Sequence, residues 1–118
     1  MIETIQVEEG LVLSLHFFAF DIEYNSLRCP DCSCNFMTII DGDGTVLMGK
    51  SCGSVDEKIY QVVVAGQSID SSLPPNITSR SNVIKLDFRT IASTYKMEKR
   101  RWGVRWEAVV PGQKFIIV

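Results

Sequence analysis

Apolar and polar residues alternate with a period of two along most of this chain, which is the pattern of β-strands that have one buried face. The clearest alternations cover residues 11–19, 84–88 and 102–110. Residues 11–19 are largely apolar on both faces, so we expect a central strand there, with His16 on its less buried face. Shorter runs predict further strands over residues 4–7, 35–40, 46–48 and 59–65.

Turn residues separate these runs. Glu9-Gly10 predicts a hairpin between the first two strands, and Gly42-Asp43-Gly44 predicts a later one. Residues 68–75 predict a polar loop that ends in Pro-Pro. About eight short strands with regularly spaced turns predict an all-β fold, either a sandwich or a barrel. With 118 residues, 46% of them hydrophobic, we expect one domain over residues 1–118 with a substantial core.

Composition excludes several classes of protein. A net charge of −2 argues against a general nucleic-acid binder. No apolar run approaches the roughly 20 residues of a membrane-spanning helix, so we expect no membrane insertion. The N-terminus does not read as a signal peptide, because Glu3, Glu8 and Glu9 occupy the region that should be positive. We therefore expect an excerpt of a larger secreted protein.

The cysteines favour an oxidising compartment. Cys29, Cys32 and Cys34 lie close together and Cys52 follows, and this even number predicts two disulfide bonds. The alternative is a zinc site, but only one pair has the two-residue spacing that zinc knuckles usually have twice. A glycosylation sequon at Asn76 adds to the case for a secreted protein.

The order of these features resembles that of a CUB domain. The matching pieces are Phe20-Asp21-Ile22-Glu23, Cys32-Ser33-Cys34-Asn35, Asp41-Gly42, Cys52-Gly53, Pro75, Ser79-Arg80-Ser81-Asn82, Phe88 and Trp102-Gly103-Val104-Arg105-Trp106. The resemblance implies the two-sheet antiparallel β-sandwich, a CUB-like jelly roll, of complement proteases, tolloid- and astacin-type proteases, cubilin and spermadhesins. The closing strand is similar to CUB modules of invertebrate astacin-like proteases.

This chain also departs from the family pattern. CUB domains usually begin further upstream with a first cysteine pair, so we expect an N-terminally truncated domain whose first strands are missing or lie outside the sequence. The family pattern implies a Cys32–Cys52 disulfide, which leaves Cys29–Cys34 as the second. The link over residues 54–73 is longer than usual.

The resemblance also raises calcium binding. Family members use the Glu of FDxE, the Asp of Cys-x-x-Asp and an Asp after the Phe-ending strand. Only Glu23 carries over, Asn35 replaces the second acid, and residues 89–101 contain no Asp. Asp31 could substitute, but calcium takes six to eight oxygens. With Glu23 and Asp31 as candidate ligands we expect no bound cofactor and weak calcium affinity at most, with Asn35 hydrogen-bonding the loop instead.

A basic segment before and within the last strand is the sharpest charge feature. Its cations are Lys96, Lys99, Arg100, Arg101 and Arg105. They predict either a site for an acidic protein or sulfated glycan, or a solvated loop, and such runs more often mark exposed loops.

Other polar and aromatic residues have structural interpretations. Trp102 and Trp106 share one strand face and are predicted core residues. Asp41 and Asp43 are predicted turn residues. His16 has no catalytic constellation around it in the sequence.

These observations predict a non-enzymatic extracellular recognition module of a larger secreted, matrix or adhesion protein. Its partner would be a protein or an acidic glycan. The alternative is a structural building block that self-assembles through an exposed sheet edge.

Overall fold

The computed structural model describes residues 1–22, 32–53, 62–69, 73–90 and 100–112. Its regular structure is β throughout, which confirms the predicted all-β fold, although with nine strands in the described ranges instead of about eight. The strands are β1 (Ile2–Gln6), β2 (Val12–Ile22), β3 (Asn35–Asp41), β4 (Val46–Cys52), β5 (Val62–Val64), β6 (Gln67–Ile69), β7 (Ile77–Thr78), β8 (Val83–Thr90) and β9 (Arg100–Val109). In the part of the chain described, no helix has the length and apolar character needed to cross a membrane.

The strands form two antiparallel sheets that enclose one core. The larger sheet has the order β1-β8-β3-β4-β5-β6 and the smaller has the order β7-β2-β9, so β2 is central as predicted. Both sheets contribute buried apolar side chains to the space between them. The core includes Leu13, Leu15, Phe17, Phe20, Ile22, Met37, Ile39, Met48, Val62, Ile84 and Leu86.

The predicted hairpin between the first two strands is wrong. A turn does form at Glu9-Gly10, where the Leu11 N–H donates to the Glu8 carbonyl at 3.1 Å. However, β1 pairs with β8 in the larger sheet, and β2 lies in the smaller one. Turn residues show where the chain reverses but not which sheet the next strand joins. The turn at Gly42-Asp43-Gly44 does close the predicted hairpin, between β3 and β4.

The prediction for the core face of strand β8 is confirmed, and the prediction for its outer face is wrong at one residue. Ile84 and Leu86 are buried and Lys85 is exposed. Asp87 was expected to be wet but is only 9% exposed. It lies between Ile2 of β1 and Thr38 of β3, and neighbouring strands on both sides exclude water from its backbone and Cβ. Its carboxylate is paired with Arg89 at 3.0 Å.

Two short strands were missed in and after the predicted loop over residues 68–75. Strand β6 begins at Gln67 and β7 covers only Ile77–Thr78. Strands of three and two residues are too short to show a period of two. A two-residue turn, Ala65-Gly66, joins β5 to β6, and both turn residues have positive φ. This is the backbone of a type I′ hairpin turn.

Candidate functional site

A β-bulge in β2 places one aromatic side chain outside the core. Phe17 pairs with Val104 of β9, but the next pair is Ala19 with Gly103, so Phe18 is the extra residue. Before the bulge the odd-numbered residues of β2 face the core, and after it the even-numbered Phe20 and Ile22 do. Phe18 is 62% exposed within a strand that is otherwise mostly buried. The bulge therefore converts a residue of a core strand into a surface aromatic.

The Phe18 ring packs against the backbone of Gly103, where there is no side chain. A methyl group at Gly103 would lie 2.4 Å from Cε2 and Cζ of Phe18, so the ring occupies the space that any other residue would fill. Glycine in a strand often marks such a close approach. The ring is therefore supported by the backbone of β9 and does not project freely into solvent.

Charged and polar side chains surround this aromatic ring. Arg105 pairs with His16 and Glu107 with Ser14, and residues directly opposite in antiparallel strands share a face. We call Ser14, His16, Phe18, Gly103, Arg105 and Glu107 the outer face. A shallow cleft of about 390 Å³ here is lined by His16, Phe17, Phe18, Arg105, Trp106 and Glu107.

Arg105 is the one predicted patch residue whose side chain the structure describes. It is exposed, and the single salt bridge found among the described residues joins Arg89 to Asp87, so Arg105 has no ion-pair partner there. Lys96 and Lys99 lie outside the described residues. The backbones of Arg100 and Arg101 pair with Ile22 and Asp21 at the start of β9.

His16 makes one side-chain hydrogen bond in the described structure, between its Nε2 and the Ser14 hydroxyl at 3.1 Å. A hydrolytic pair would also need an acid on the other imidazole nitrogen and donors for an oxyanion. The described residues place no carboxylate within hydrogen-bond distance of His16. The pair is consistent with two neighbouring residues on one strand face.

The core prediction for the two tryptophans is half right. Trp102 packs edge-to-face on Phe88, with ring centroids 6.2 Å apart, and is partly buried. Trp106 is 47% exposed, so the prediction of a core position is wrong. Trp106 pairs with the buried Leu15 and faces the same side, but β9 is at the edge of its sheet and no described strand lies beyond it. The alternation predicts the face of a residue, whereas burial also depends on what covers that face.

The exposure of Phe18 on the outer face was not predicted from the sequence. Two signals pointed to it. Phe17-Phe18 puts large apolar residues on both faces of one strand, and Gly103 interrupts an apolar alternation in the strand that pairs with it. A glycine inside a strand pattern suggests a bulge or a close approach, and both are present here.

The family model of the CUB domain matches residues 3–106. This chain belongs to the CUB domain family. CUB domains are typically extracellular modules for protein–protein interaction. The CUB1-EGF-CUB2 domain of human MASP-1/3 is similar in fold, with a TM-score of 0.60 and 18% identity over 93% of this chain. The chain spans 35% of that structure. A search of curated proteins found no match.

The predicted Cys32–Cys52 disulfide of this CUB domain is confirmed, with the two Cα atoms 5.7 Å apart. Cys34 is also disulfide-bonded, so neither it nor the Cys32–Cys52 pair supplies thiolates and the zinc alternative is wrong. Cys29, the predicted partner of Cys34, lies outside the described residues, so that pairing stays a prediction.

Gly53 explains why glycine follows Cys52. Its φ of 106° belongs to the region that favours glycine. In this conformation Gly53 exchanges two backbone hydrogen bonds with Ile22, at 2.7 and 3.1 Å. Because β4 and β2 belong to different sheets, this bridge joins the two sheets at one end of β2, next to the disulfide that ties Cys52 to the residues before β3.

The candidate calcium residues are only partly described. Glu23 and Asp31 lie outside the described residues, and no group of three His, Cys, Asp or Glu side chains that could hold a metal occurs among the described ones. Asn35 is 8% exposed, and its Oδ1 accepts no hydrogen bond from any described residue. The loop that the Asn35 amide was expected to bond lies outside the described residues, so that expectation stays a prediction. One neutral amide oxygen does not by itself fit calcium, which takes six to eight oxygen ligands.

Asp41 and Asp43 are turn residues, as predicted. Asp43 accepts the N–H of Thr45 at 2.8 Å, which shapes the turn between β3 and β4. Asp41 is buried and accepts hydrogen bonds from the hydroxyl of Ser81 and the N–H of Arg80. Burial raises the pKa of Asp41, but these bonds and those from the turn outweigh it and hold the pKa below its ordinary value.

Ser79 connects the same segment to the smaller sheet. Its hydroxyl accepts the N–H of Leu13 at 2.7 Å, and its own N–H donates to the Leu13 carbonyl at 2.8 Å. The segment that matches the family's Ser-x-Ser-Asn therefore connects two places. Ser79 bonds the start of β2, and the two residues after it bond Asp41 at the end of β3. This role was not predicted, because the partners are far apart in sequence.

Proposed function

We propose that this CUB domain is a non-enzymatic extracellular recognition module that binds a protein partner through its outer face. The observation that carries the proposal is Phe18, an aromatic ring exposed by a bulge and supported by Gly103. The partner would bury this ring and place an acidic side chain against Arg105.

The aromatic ring supports a protein partner because of how interface energy is distributed. A few aromatic and arginine side chains carry most of the binding energy at protein interfaces. An aromatic ring that is already fixed loses little conformational entropy when it is buried by a partner. Phe18 has this property because the glycine backbone of β9 supports it.

The charges of the outer face favour an acidic protein segment over a sulfated glycan. Arg105 is exposed and has no ion-pair partner among the described residues, so it is available to a carboxylate. Glu107 shares its face, which weakens the local positive potential that a highly sulfated chain needs. Among the side chains that the structure describes on this face, one cation lies beside one exposed aromatic, which suits a peptide that carries an acid next to an apolar residue.

A selection experiment tests this proposal. Random peptides displayed on phage are selected against the folded domain, and the affinities of the synthesised winners are measured by calorimetry. The variants are Phe18→Ser and Arg105→Glu. Their matched controls are Ile2→Ser, whose side chain is 59% exposed on the other sheet, and Lys85→Glu, which is also exposed there.

We expect peptides that combine an acid with an apolar residue. Phe18→Ser should weaken them by about tenfold or more, since truncating an interface anchor costs at least 1–2 kcal/mol. Arg105→Glu should weaken them too, and both controls should bind like the native domain. Winners that bind Phe18→Ser normally but lose affinity for a control variant would contradict the proposal.

A heparin column separates the glycan alternative from the proposal. Retention at physiological salt that is lost in Arg105→Glu and kept in Phe18→Ser would show a charge-driven glycan site instead. Circular dichroism melting of each variant confirms that it is folded. We further propose that the domain is one part of a larger secreted protein. An astacin-like protease is one candidate for that protein, because the closing strand is similar to CUB modules of such proteases.

The edge of the smaller sheet supports a second candidate function, the structural building block. Among the described strands β9 has a partner on one side only, and Trp106 beside this edge is 47% exposed. Unpaired strand edges are templates for pairing with another chain. Light scattering after size exclusion distinguishes the two functions. A monomer at high concentration favours recognition, and a dimer or polymer dissociated by Trp106→Ser favours assembly.

A further inference from the structure

The sequon at Asn76 lies in a geometry that suits a covalent glycan. Asn76 and Thr78, its two essential residues, are both exposed, whereas Ile77 between them is 7% exposed. The middle residue is not proline, as attachment requires. The buried Ile77 anchors the sequon while the two polar side chains remain on the surface.

Asn76 directly precedes a vulnerable edge of the smaller sheet. Strand β7 has two residues, and among the described strands it pairs only with β2, through Ile77–Leu15 and Thr78–Ser14. Short edge strands that are covered by other groups resist pairing with foreign chains. A glycan attached one residue before β7 would cover this edge.

An apolar cleft lies directly beside the Asn76 side chain. It measures about 520 Å³ and is lined by Phe17, Ile69, Leu73, Pro74, Pro75 and Asn76. The first sugar of a glycan has an apolar ring face, and packing that face on such a surface removes apolar area from water. The cleft therefore gives the attached sugar a place to pack.

We infer that Asn76 is an N-glycosylation site whose first sugar lies in this cleft and stabilises the edge formed by β7. The inference rests on the extracellular location included in the proposed function. Thr78 pairs with Ser14 and therefore shares the side of the sheet that carries the outer face, but attachment of a glycan does not require a peptide to bind there.

The first test is attachment. The full chain is fused to a cleavable secretion signal and produced in a eukaryotic secretory cell line, and intact mass is measured before and after peptide N-glycosidase treatment. We expect one N-glycan on the native chain and on Thr78→Ser, and none on Asn76→Gln or Thr78→Ala. Folded, secreted native chain without a glycan would overturn the inference. Because the signal is supplied, this result is independent of where the parent protein resides and of the peptide-binding test.

The second test measures whether the first sugar stabilises the domain by packing in the cleft. An endoglycosidase trims the glycan to its first sugar, and the melting temperature is compared with that of Asn76→Gln. We expect the single sugar to raise Tm by about 2–4 °C, the shift that a modest apolar contact produces in a domain of this size. The same comparison in a Leu73→Ser background should show a smaller shift. Equal Tm values for the trimmed chain and Asn76→Gln would overturn the role of the cleft.

Discussion

At the scale of single residues, the position of the Phe18 ring depends on the absence of a side chain at Gly103. The bulge exposes the ring, and the missing side chain of the glycine makes room for it. This arrangement has a measurable consequence for stability, because the effect of filling Gly103 must depend on whether the ring is present.

The Gly103→Ala substitution should lower the stability of the native domain but raise it when Phe18 is absent. In the native background the new methyl group meets the Phe18 ring, and we expect a loss of about 1 kcal/mol from this overpacking. In a Phe18→Ala background the clash is gone, and we expect a gain of about 0.5 kcal/mol from reduced backbone entropy in the unfolded chain. Urea denaturation of the four proteins measures the coupling. Equal effects of Gly103→Ala in both backgrounds would mean that the ring does not lie against this glycine.

The buried carboxylate of Asp41 should make the domain sensitive to acid. Replacing it in Asp41→Asn removes charge-assisted hydrogen bonds to Ser81 and Arg80, at a cost of about 1.5–3 kcal/mol at neutral pH. The pKa of Asp41 is lowered by folding, so its contribution is complete well above the unfolded value of 3.8 and is lost as pH falls through the folded pKa.

Urea denaturation at several pH values tests the assignment. The difference in unfolding free energy between native and Asp41→Asn should be constant from neutral pH down to about pH 5 and should shrink below pH 4. Asp43→Asn, at the exposed tip of the same turn, is the control and should have a smaller effect. A difference that persists unchanged into strong acid would argue against a charged Asp41.

At the scale of elements, the alternation of residues predicted most strands but not their interruptions. Strands β2, β3, β8 and β9 were predicted because each has seven or more residues, which is long enough to show the alternation. The bulge at Phe18 was not foreseen, because a period of two assumes an unbroken register. The hairpin of β5 and β6 was missed for another reason, since three-residue strands carry too little pattern.

That hairpin contains a residue that is poorly suited to its conformation. Ala65 has a φ of 50° in a turn whose two positions favour Asn-Gly. Because a left-handed conformation costs a residue such as alanine about 1 kcal/mol, Ala65→Asn should stabilise the domain by somewhat less than that amount. Gly66→Ala, one residue further with a φ of 85°, should destabilise it, although no neighbouring atom crowds the added methyl group. Thermal melting compares the variants, and a lower Tm for Ala65→Asn would contradict a type I′ turn.

At the scale of the whole molecule, two connections hold the sheets together at opposite ends of β2. The Ile22–Gly53 bridge lies at the end of β2, beside the Cys32–Cys52 disulfide. Near the start of β2, residues 79–81 bond both Leu13 and Asp41 of β3. The sequence implied the disulfide only through resemblance to a family. It could not reveal the connection through Ser79 and Asp41, because spatial partners about 40 or more residues apart leave no local pattern.

The end that carries Ile22 and Asn35 is also where a family-type calcium ion would lie. We predict that the native domain binds calcium no more tightly than the millimolar range, because Asn35 supplies a neutral oxygen where an acid is needed. Asn35→Asp should raise the affinity if Glu23 lies within reach. Calorimetric titration of both proteins, with melting curves in chelator, measures this. A micromolar dissociation constant for the native domain would contradict the prediction.

The proposal that the outer face binds a protein partner is tested most directly by mapping where a selected peptide binds. Backbone amide signals of the isotope-labelled domain are followed by NMR while the peptide is added. We expect the largest shifts at residues 16–18 of β2 and 103–107 of β9, with little change along the outer side of β8. Shifts concentrated on β8 or β1, with Phe18 and Arg105 unaffected, would show that this CUB domain recognises its partner elsewhere.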